Sequence, residues 1–350
     1  MSTSVAVENL YVMRYMGNKR KLLPRVNAAI KRLSRPGDLL IDLMAGTHSV
    51  GFSLSQRNRI VANDIGVYAL PIGRALMQRP AGFRPERYLP LIAAAAAENR
   101  GAGSFQFFQT HYADTYFSPR QCAEIDDLRY AVEVLDVEDR YAADLAMAAL
   151  ISSMCYAQST PGHFAQFMPK NHKRIVPLRA ISIVEAFRER FRFWPIPNAG
   201  RRHEVLAEDW RVVFAAGFAE EARVVYIDPP YNTEQYSRFY HVLETLVRYD
   251  NPSLSCKARY RDDRFKSNFS YRSQVEEEFA ELFRRCAESC GADIVLSYSS
   301  TGLLDVEQFA RLCCPYYRLQ EVERISHPHS TQGKGTKSGV MELIIIFNRS

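Results

Sequence analysis

Residues 37–64 read GDLLIDLMAGTHSVGFSLSQRNRIVAND, and this stretch decides the fold class. It starts with an apolar run that ends at Asp42, and a second apolar run ends at Asp64. The small residues of Ala45–Gly51 predict a turn, and Phe52 and Leu54 predict the start of a helix. Two short strands joined by a helix form a βαβ unit, which requires a parallel sheet.

The same alternation of strand and helix returns near the other end of the chain. The apolar patterns predict a strand, a helix, a strand, a short helix and a closing hairpin of two strands. These elements are 223–228, 275–288, 292–298, 306–312, and the pair 317–325 and 340–347. We therefore predict a doubly wound α/β sheet with a hairpin at one edge.

The middle of the chain has a different pattern. Residues 80–99 and 119–156 have alanine-rich or helically periodic sequences that predict helices, and no strand alternates with them. We expect an inserted, mainly helical region. The predicted division is 11–66 and 203–350 for the two parts of the α/β core, and 67–202 for the insertion.

Composition limits the class of protein. A chain of 350 residues that is 47% hydrophobic can bury a large core, alone or with a smaller appended domain. No apolar run approaches the roughly 18 residues of a membrane span, and the start does not resemble a secretory signal. The seven cysteines include no CxxC pair, so neither a zinc site nor a disulfide framework is expected. We expect a soluble, cytoplasmic protein without a membrane partner.

Positive charge is concentrated in two segments of a chain whose net charge is +6. Arg14–Arg35 contains eight Lys or Arg and no acid, and Asn251–Arg272 contains six Lys or Arg, two acids and several aromatic residues. Such segments are typical of surfaces that follow phosphates, although a solvated face has the same composition.

The most informative motif is Asp228-Pro229-Pro230-Tyr231, directly after an apolar strand. Two prolines end the strand and stiffen the backbone. Because ligands bind outside the carboxyl ends of strands in α/β sheets, Asp228 is predicted to face a cleft.

This motif suits methyl transfer to an amino group on a heteroaromatic ring, such as N6 of adenine. The nitrogen lone pair is delocalised, so the nitrogen is a poor nucleophile. Asp228 and the carbonyl of Pro229 can each accept one N–H, which turns the lone pair toward a methyl donor. Tyr231 offers a face for a base swung out of the duplex.

A second constellation lies at the ends of the first two predicted strands. Asp42 could hold an ammonium group, the small residues around Gly46 allow close approach of a ligand, and Asp64 could accept both hydroxyls of a ribose. A dinucleotide site is an alternative for a glycine-rich turn, but the GxGxxG spacing is absent.

These motifs together resemble the D12 class of N6-adenine DNA methyltransferases, which includes the Dam-type enzymes. The resemblance covers 11–66 and 203–347, and the inserted region corresponds by position to the target-recognition domain. It implies a Rossmann-like, S-adenosyl-L-methionine-dependent fold that methylates a flipped-out adenine in double-stranded DNA. It also implies a prokaryotic or phage setting close to the nucleoid, with a cognate restriction endonuclease as a possible partner.

The resemblance assigns roles to individual residues. The cofactor set consists of Tyr15, Lys19, Asp42, Met44, Gly46, Asp64, Asp209 and Asp228. The catalytic set is Asp228, Pro229, Pro230 and Tyr231.

Some residues depart from the family pattern. Tyr15 and Asn18 replace a common Trp and Gly, Met44 replaces Phe, and His48 replaces the second glycine of the cofactor loop. We expect the His48 side chain to turn away from the pocket. The alternatives are methylation of RNA adenine or of cytosine N4, and a nucleic-acid-binding protein that has lost the cofactor.

The predicted DNA contacts lie mainly in one loop after the long helices. Gln can read adenine with two hydrogen bonds, and Lys and Arg suit phosphates. The residues are Gln158, His163, Gln166, Lys170, Lys173 and Arg174. Further candidate segments are 249–272 and the loop 333–337. For His241 and Glu244, a role in orienting Tyr231 and a place on a helix surface both remain open.

Overall fold

The computed structural model describes residues 22–195, 202–326 and 340–349. These residues divide into two compact units. The sheet unit consists of 22–66, 202–236, 265–326 and 340–349, and the helical unit consists of 67–195 and 237–264.

The sheet unit is built on seven strands in the order β3-β2-β1-β4-β7-β9-β8. The strands are β1 (Leu39–Asp42), β2 (Arg59–Asn63), β3 (Glu204–Leu206), β4 (Ala222–Ile227), β7 (Asp293–Ser299), β8 (Tyr317–Ser326) and β9 (Met341–Arg349). Neighbouring strands from β3 to β7 are parallel, whereas β9 is antiparallel to both β7 and β8. The predicted doubly wound α/β fold and its closing hairpin are therefore confirmed.

Helices cover both faces of this sheet. They are α1 (Leu23–Leu33), α2 (Ser49–Leu54), α10 (Trp210–Ala215), α12 (Val275–Ser289) and α13 (Val306–Cys313). Side chains of α10, α12 and α13 share one core with alternate strand residues such as Ile41, Val225 and Ile294. α1 packs against β4 and β7, and α2 against β1 and β2. Because both faces are covered, all four residues of β1 are buried.

Helix α1, helix α10 and strand β3 of the sheet unit were not predicted from the sequence. α1 lies in the first basic segment and buries Leu23, Val26, Ala29 and Ile30, which recur at helical spacing. Its Arg25 and Arg32 form ion pairs with Glu323 and Glu321 of β8. Part of this basic segment therefore neutralises acids of the same unit. β3 was missed because it is only three residues long.

The helical unit contains most of the remaining elements. Its helices are α3 (Ala69–Met77), α4 (Leu89–Ala102), α5 (Phe107–His111), α6 (Pro119–Glu138), α7 (Arg140–Ala157), α8 (Val176–Ala180), α9 (Ile183–Arg192) and α11 (Ser237–Arg248). A small hairpin pairs β5 (Leu254–Ser255) with β6 (Tyr260–Arg261). Within the described ranges, no helix is long and apolar enough to cross a membrane.

The helix predicted over 119–156 is two helices, broken at Asp139. This residue has an extended backbone, and its side chain accepts a hydrogen bond from Ala142 N, which caps the start of α7. The hydroxyl of Tyr88 also donates to the Asp139 carboxylate. Capping by an acid competes with helix continuation, and apolar periodicity does not reveal it.

The segment 237–264 lies in the helical unit, whereas the sequence division placed it in the core segment 203–350. The physical reason is a set of contacts with α6. The side chain of Arg129 donates to Leu246 O at 2.9 Å, and the Tyr249 hydroxyl donates to Asp126 Oδ1 at 2.6 Å. The predicted segment borders remain proposals.

Candidate active site

The carboxyl ends of β1 and β4 lie side by side at the centre of the sheet. The strand order reverses between these two strands, because β2 and β3 continue on one side and β7 on the other. Such a reversal opens a crevice outside the strand ends, where α/β sheets bind ligands. Asp42 ends β1 and Asp228 follows β4, so two of the predicted site residues come from this point.

Asp42 is buried, with 1% of its surface exposed. Gly51 N donates to its Oδ2 at 2.9 Å, while Oδ1 has no hydrogen-bond partner among the described residues. Burial raises the pKa of Asp42 to about 7, against the lowering effect of the Gly51 bond, and the charges of Asp228 and Asp64 raise it further. A buried carboxylate with a vacant oxygen is suited to a cationic ligand group.

Asp64 connects two glycines near the end of β2. Gly46 N donates to Oδ2 at 2.8 Å, and Gly66 N donates to Oδ1 at 2.9 Å. Burial raises the pKa of Asp64, and these two hydrogen bonds oppose the shift. The ribose contact therefore stays a prediction, since it would use the remaining lone pairs of oxygens that already hold the loop.

Asn63 is a site residue that the sequence analysis missed. Its side-chain amide donates to Leu43 O at 3.3 Å and to Glu208 O at 3.0 Å, and its Oδ1 accepts from Glu208 N at 3.0 Å. This one side chain at the end of β2 joins the segments that follow β1 and β3. The sequence feature that could have identified it is an Asn directly before the acid at the end of a predicted strand.

The loop after β1 has a conformation that explains the glycines usual in this position. Gly46 and His48 have φ angles of 52° and 60°, in the left-handed region that glycine adopts without a Cβ penalty. His48 is fully buried, and Met44 is half-buried against the sheet core. His48 therefore retains a glycine-like backbone while filling interior space with its ring.

The Asp228–Tyr231 motif is held by the neighbouring strand β7. Asp228 is half-buried and Pro229 is buried. The ring of Tyr231 packs edge-to-face on Tyr298 with 6.1 Å between centroids, and Leu303 N donates to Tyr231 O at 3.1 Å. The ring of Tyr231 is thus supported by Tyr298, and its backbone is held by Leu303.

Asp209 begins α10 and is partly exposed. It accepts from Arg211 N at 2.9 Å as the helix cap. Glu278 fixes the same turn, because it accepts from Trp210 Nε1 at 2.8 Å and from Arg211 at 2.6 Å. The turn is well anchored, and the proposed contact of Asp209 with the cofactor adenine stays a prediction. Tyr15 and Lys19 lie outside the described residues.

The predicted DNA contacts differ in accessibility. Gln158 is 4% exposed, donates to Cys155 O and accepts from the Thr160 hydroxyl, so its amide is used inside the helical unit. This arrangement does not support base reading by Gln158. His163 is half-buried, with its ring centroid 5.0 Å from that of Phe239. The exposed members of the set are Gln166, Lys170, Lys173 and Arg174, and Lys170 pairs with Asp114 at 3.4 Å.

His241 and Glu244 are buried in the helical unit, which rules out the helix-surface alternative, and a role in orienting Tyr231 stays a prediction. Burial lowers the pKa of His241 to about 3, and its Nε2 lies 2.9 Å from Phe164 O. Burial raises the pKa of Glu244 to about 7, and the N–H of Val67 donates to its carboxyl at 3.4 Å. The candidate loop 333–337 lies outside the described residues.

The residues at the strand ends fit the methionine part of S-adenosyl-L-methionine. That part carries an ammonium and a sulfonium, and three carboxylates of the sheet unit (Asp42, Asp64 and Asp228) lie close enough for their charges to interact. A Cβ at position 51 would meet Asp42 Oδ2 at 3.1 Å and Ile60 at 3.2 Å, so glycine is what lets the helix approach the acid.

The order of the strands and the acids at their ends define a Rossmann-like sheet with its site at the reversal of strand order. The family described as D12 class N6 adenine-specific DNA methyltransferase matches residues 15–308. The chain belongs to this family, which confirms the assignment made from the sequence motifs.

Individual relatives are modification enzymes. The chain is 26% identical to modification methylase LlaI of Lactococcus lactis subsp. lactis, over 97% of this chain and 55% of that protein. It is 26% identical to type II methyltransferase M.NlaIII of Neisseria lactamica, over 85% of this chain and 86% of that protein. The chain spans about half the length of LlaI and of two other matched methylases.

Among solved structures, one match is the rRNA methyltransferase aviRa from Streptomyces viridochromogenes. The TM-score is 0.35 and the identity 11%, over 99% of this chain and 94% of that one.

Proposed function

We propose that this protein transfers a methyl group from S-adenosyl-L-methionine to N6 of adenine at specific sites in double-stranded DNA. The observation that carries the proposal is the group of acids at the reversal of strand order, with Asp228 opening the rigid Pro229-Pro230-Tyr231 motif. Membership of the D12 family supports the same reaction. S-adenosyl-L-methionine would supply an electrophilic methyl group.

The residues of the chain would then act on the amino nitrogen of a swung-out adenine. Asp228 and the carbonyl of Pro229 each accept one N6–H, which localises the lone pair for bond formation. The N6 proton leaves after the N–C bond has formed, when the nitrogen is acidic, so Asp228 need not be a strong base. Tyr231, held by Tyr298, stacks on the base.

Residues of the cofactor loop would hold the methyl donor. Asp42 has one oxygen without a partner among the described residues and would hold the ammonium, and Asp64, which follows β2, would accept the ribose hydroxyls. Met44, Gly46 and Asp209 complete the described part of the proposed set, and Tyr15 and Lys19 are its members outside the described residues.

Methyl transfer from tritium-labelled cofactor, followed by nucleoside analysis, tests this function. N6-methyladenine in duplex DNA supports it. Label in RNA or in N4-methylcytosine, or the absence of cofactor binding in calorimetry, contradicts it. Sequencing DNA from expressing cells with a method that detects modified adenine gives the recognition site.

The catalytic role of Asp228 predicts the effect of one substitution. Asp228→Ala should reduce transfer by about 10²–10³-fold, the loss expected for a key electrostatic contact, while DNA binding persists. The exposed Glu277→Ala on α12 is the control and should keep full activity. Turnover at the control rate in Asp228→Ala would contradict the assigned role.

We further propose a restriction endonuclease of the same sequence specificity as partner, and action on cytoplasmic DNA. The support is the similarity to modification enzymes such as LlaI.

A further inference from the structure

The β5–β6 hairpin of the helical unit has a short tip in a constrained backbone. Leu254 pairs with Arg261 and Ser255 with Tyr260, which leaves a four-residue tip from Cys256 to Arg259. The two ends of the tip, Cys256 and Arg259, have φ angles of 62° and 52°. Left-handed backbone is unfavourable at non-glycine residues, so other contacts must hold this shape.

The base of the hairpin is closed by one buried guanidinium. Arg261 has 0% exposure and donates two hydrogen bonds to Asp250, at 2.7 and 2.8 Å, and two to Asp263, at 2.9 and 2.8 Å. The same hydrogen bonds lower the pKa values of Asp250 and Asp263. Two bidentate pairs on one side chain fix both arms of the segment.

Two tyrosines join the hairpin to the loop that was predicted to reach DNA. The Tyr116 hydroxyl donates to Ala258 O at 2.6 Å and also lies 2.7 Å from Phe164 O. The Tyr260 hydroxyl donates to Ala165 O at 2.6 Å. The tip and one arm of the hairpin are thus tied to consecutive residues of this loop.

The loop itself is anchored to α11 by His241. Burial lowers the pKa of His241 and keeps the imidazole neutral. Because Phe164 O can only accept, the single ring proton is on Nε2, which donates to it. The ring of His241 packs on Tyr260 with 4.8 Å between centroids. Hairpin, loop and helix therefore form one rigid group, although they come from two distant stretches of sequence.

This rigid group presents cations to solvent. Lys257 is exposed at the hairpin tip and Arg259 is half-buried beside it, while Lys173 and Arg174 are exposed at the end of the 163–174 loop. None of these four residues takes part in an ion pair within the described ranges. Some other exposed cations of this unit, such as Arg140, are paired with acids.

We propose that the β5–β6 hairpin is a second DNA-contacting element, in which Lys257 and Arg259 bind backbone phosphates beside those bound by the 163–174 loop. The proposal rests on the proposed function, because it takes duplex DNA as the substrate. Preorganisation of the hairpin removes the ordering cost that a flexible basic loop would incur on binding. Tyr260 would act as a positioning residue that fixes the hairpin relative to the 163–174 loop.

The salt dependence of DNA binding tests the phosphate contacts. For the Lys257→Ala/Arg259→Ala double variant, the slope of log affinity against log salt should become shallower by about 1.8, at about 0.9 per phosphate contact. Arg87→Ala is the matched control, since Arg87 is an exposed cation of the same unit outside the ion pairs of the described residues. Its slope should equal that of the wild type, and all variants should bind S-adenosylhomocysteine normally.

The positioning role of Tyr260 is tested with Tyr260→Phe, which removes only the hydroxyl. We expect methylation of sites that differ by one base pair to increase several-fold relative to the cognate site, with no change in salt slope. Tyr130→Phe, which loses an exposed hydroxyl bond to Glu98, is the control and should keep wild-type discrimination.

The outcomes separate this proposal from the proposed function. If the double variant has the salt slope of Arg87→Ala while the wild type methylates duplex DNA, the hairpin proposal is wrong and the function stands. If Tyr260→Phe discriminates between cognate and altered DNA sites as well as Tyr130→Phe does, the positioning role of Tyr260 is wrong. Methylation of RNA and not of DNA by the wild type would overturn both.

Discussion

Protonation of Asp42 should be coupled to cofactor binding. The carboxyl is buried and has one oxygen without a partner among the described residues, and its pKa is about 7. At pH 6 the group is therefore about 90% protonated before a ligand arrives. A ligand ammonium beside Oδ1 favours the ionised form, so its binding must expel the proton.

The size of the effect follows from the pKa. Binding should release about 0.9 proton per site at pH 6 and about 0.5 at pH 7, and affinity should rise about fivefold between these values. The direction of the pH dependence follows from the raised pKa of Asp42. The empty site resists ionisation of this carboxyl, so cofactor binding strengthens as pH rises through 7. Above about pH 7.7 the ligand amino group itself loses its proton, which ends the gain.

Calorimetry in two buffers of different ionisation enthalpy measures the protons released. S-adenosylhomocysteine should release the same number as S-adenosyl-L-methionine, because the two share the ammonium and differ in the sulfonium. Asp42→Asn should bind more weakly, with proton release near zero and little pH dependence. Glu277→Gln, an exposed change on α12, should behave as the wild type.

One result would refute this reasoning. If Asp42→Asn released as many protons as the wild type, the linked group would be another carboxyl, with Asp64 the next candidate because burial raises its pKa as well. Binding without proton release at pH 6 in the wild type would mean that no ammonium pairs with Asp42.

Two further predictions concern other parts of the molecule. A Cβ at Gly302 would lie 2.8 and 2.9 Å from ring atoms of Tyr298, so Gly302→Ala should displace Tyr298 and with it Tyr231, at a cost of about 1–3 kcal/mol. Methyl transfer should fall at least tenfold, whereas Gly217→Ala, where a Cβ meets nothing within 4 Å, should leave the rate unchanged; equal rates in both would show that Tyr298 does not support the site. The buried Glu244 has a pKa raised from 4.5 to about 7, so stability should fall by up to about 3 kcal/mol as pH rises between these values. Urea unfolding at pH 5 and 8 should show a smaller pH dependence for Glu244→Gln, and an unchanged one would contradict this assignment.

The local sequence pattern was enough to predict the strands that position the candidate active-site residues. β1, β2, β4 and β7 were predicted within one or two residues, because each is an apolar run ended by an acid or followed by a turn. α1 was missed because its arginines dominated the composition, and Asp139 was missed because a cap depends on one side-chain oxygen.

The nucleic-acid side was harder to predict. Gln158 has the residue type of a base reader, but its amide is used by Cys155 and Thr160 inside the helical unit. Solvent access depends on packing between segments distant in sequence, which residue type does not encode. For the same reason, the connection of the β5–β6 hairpin to the 163–174 loop through Tyr116 and Tyr260 could not be predicted.

The sequence by itself determined the sheet type, the family and the acids at the strand ends, because short-range periodicity and adjacent prolines act over a few residues. Only the tertiary structure decided which of those acids are buried and how they are held. Asp42 acquires a pKa near 7 from burial together with the nearby charges of Asp228 and Asp64. Electrostatic energy depends on distance and on removal from water, and both quantities arise only when separate strands are brought together.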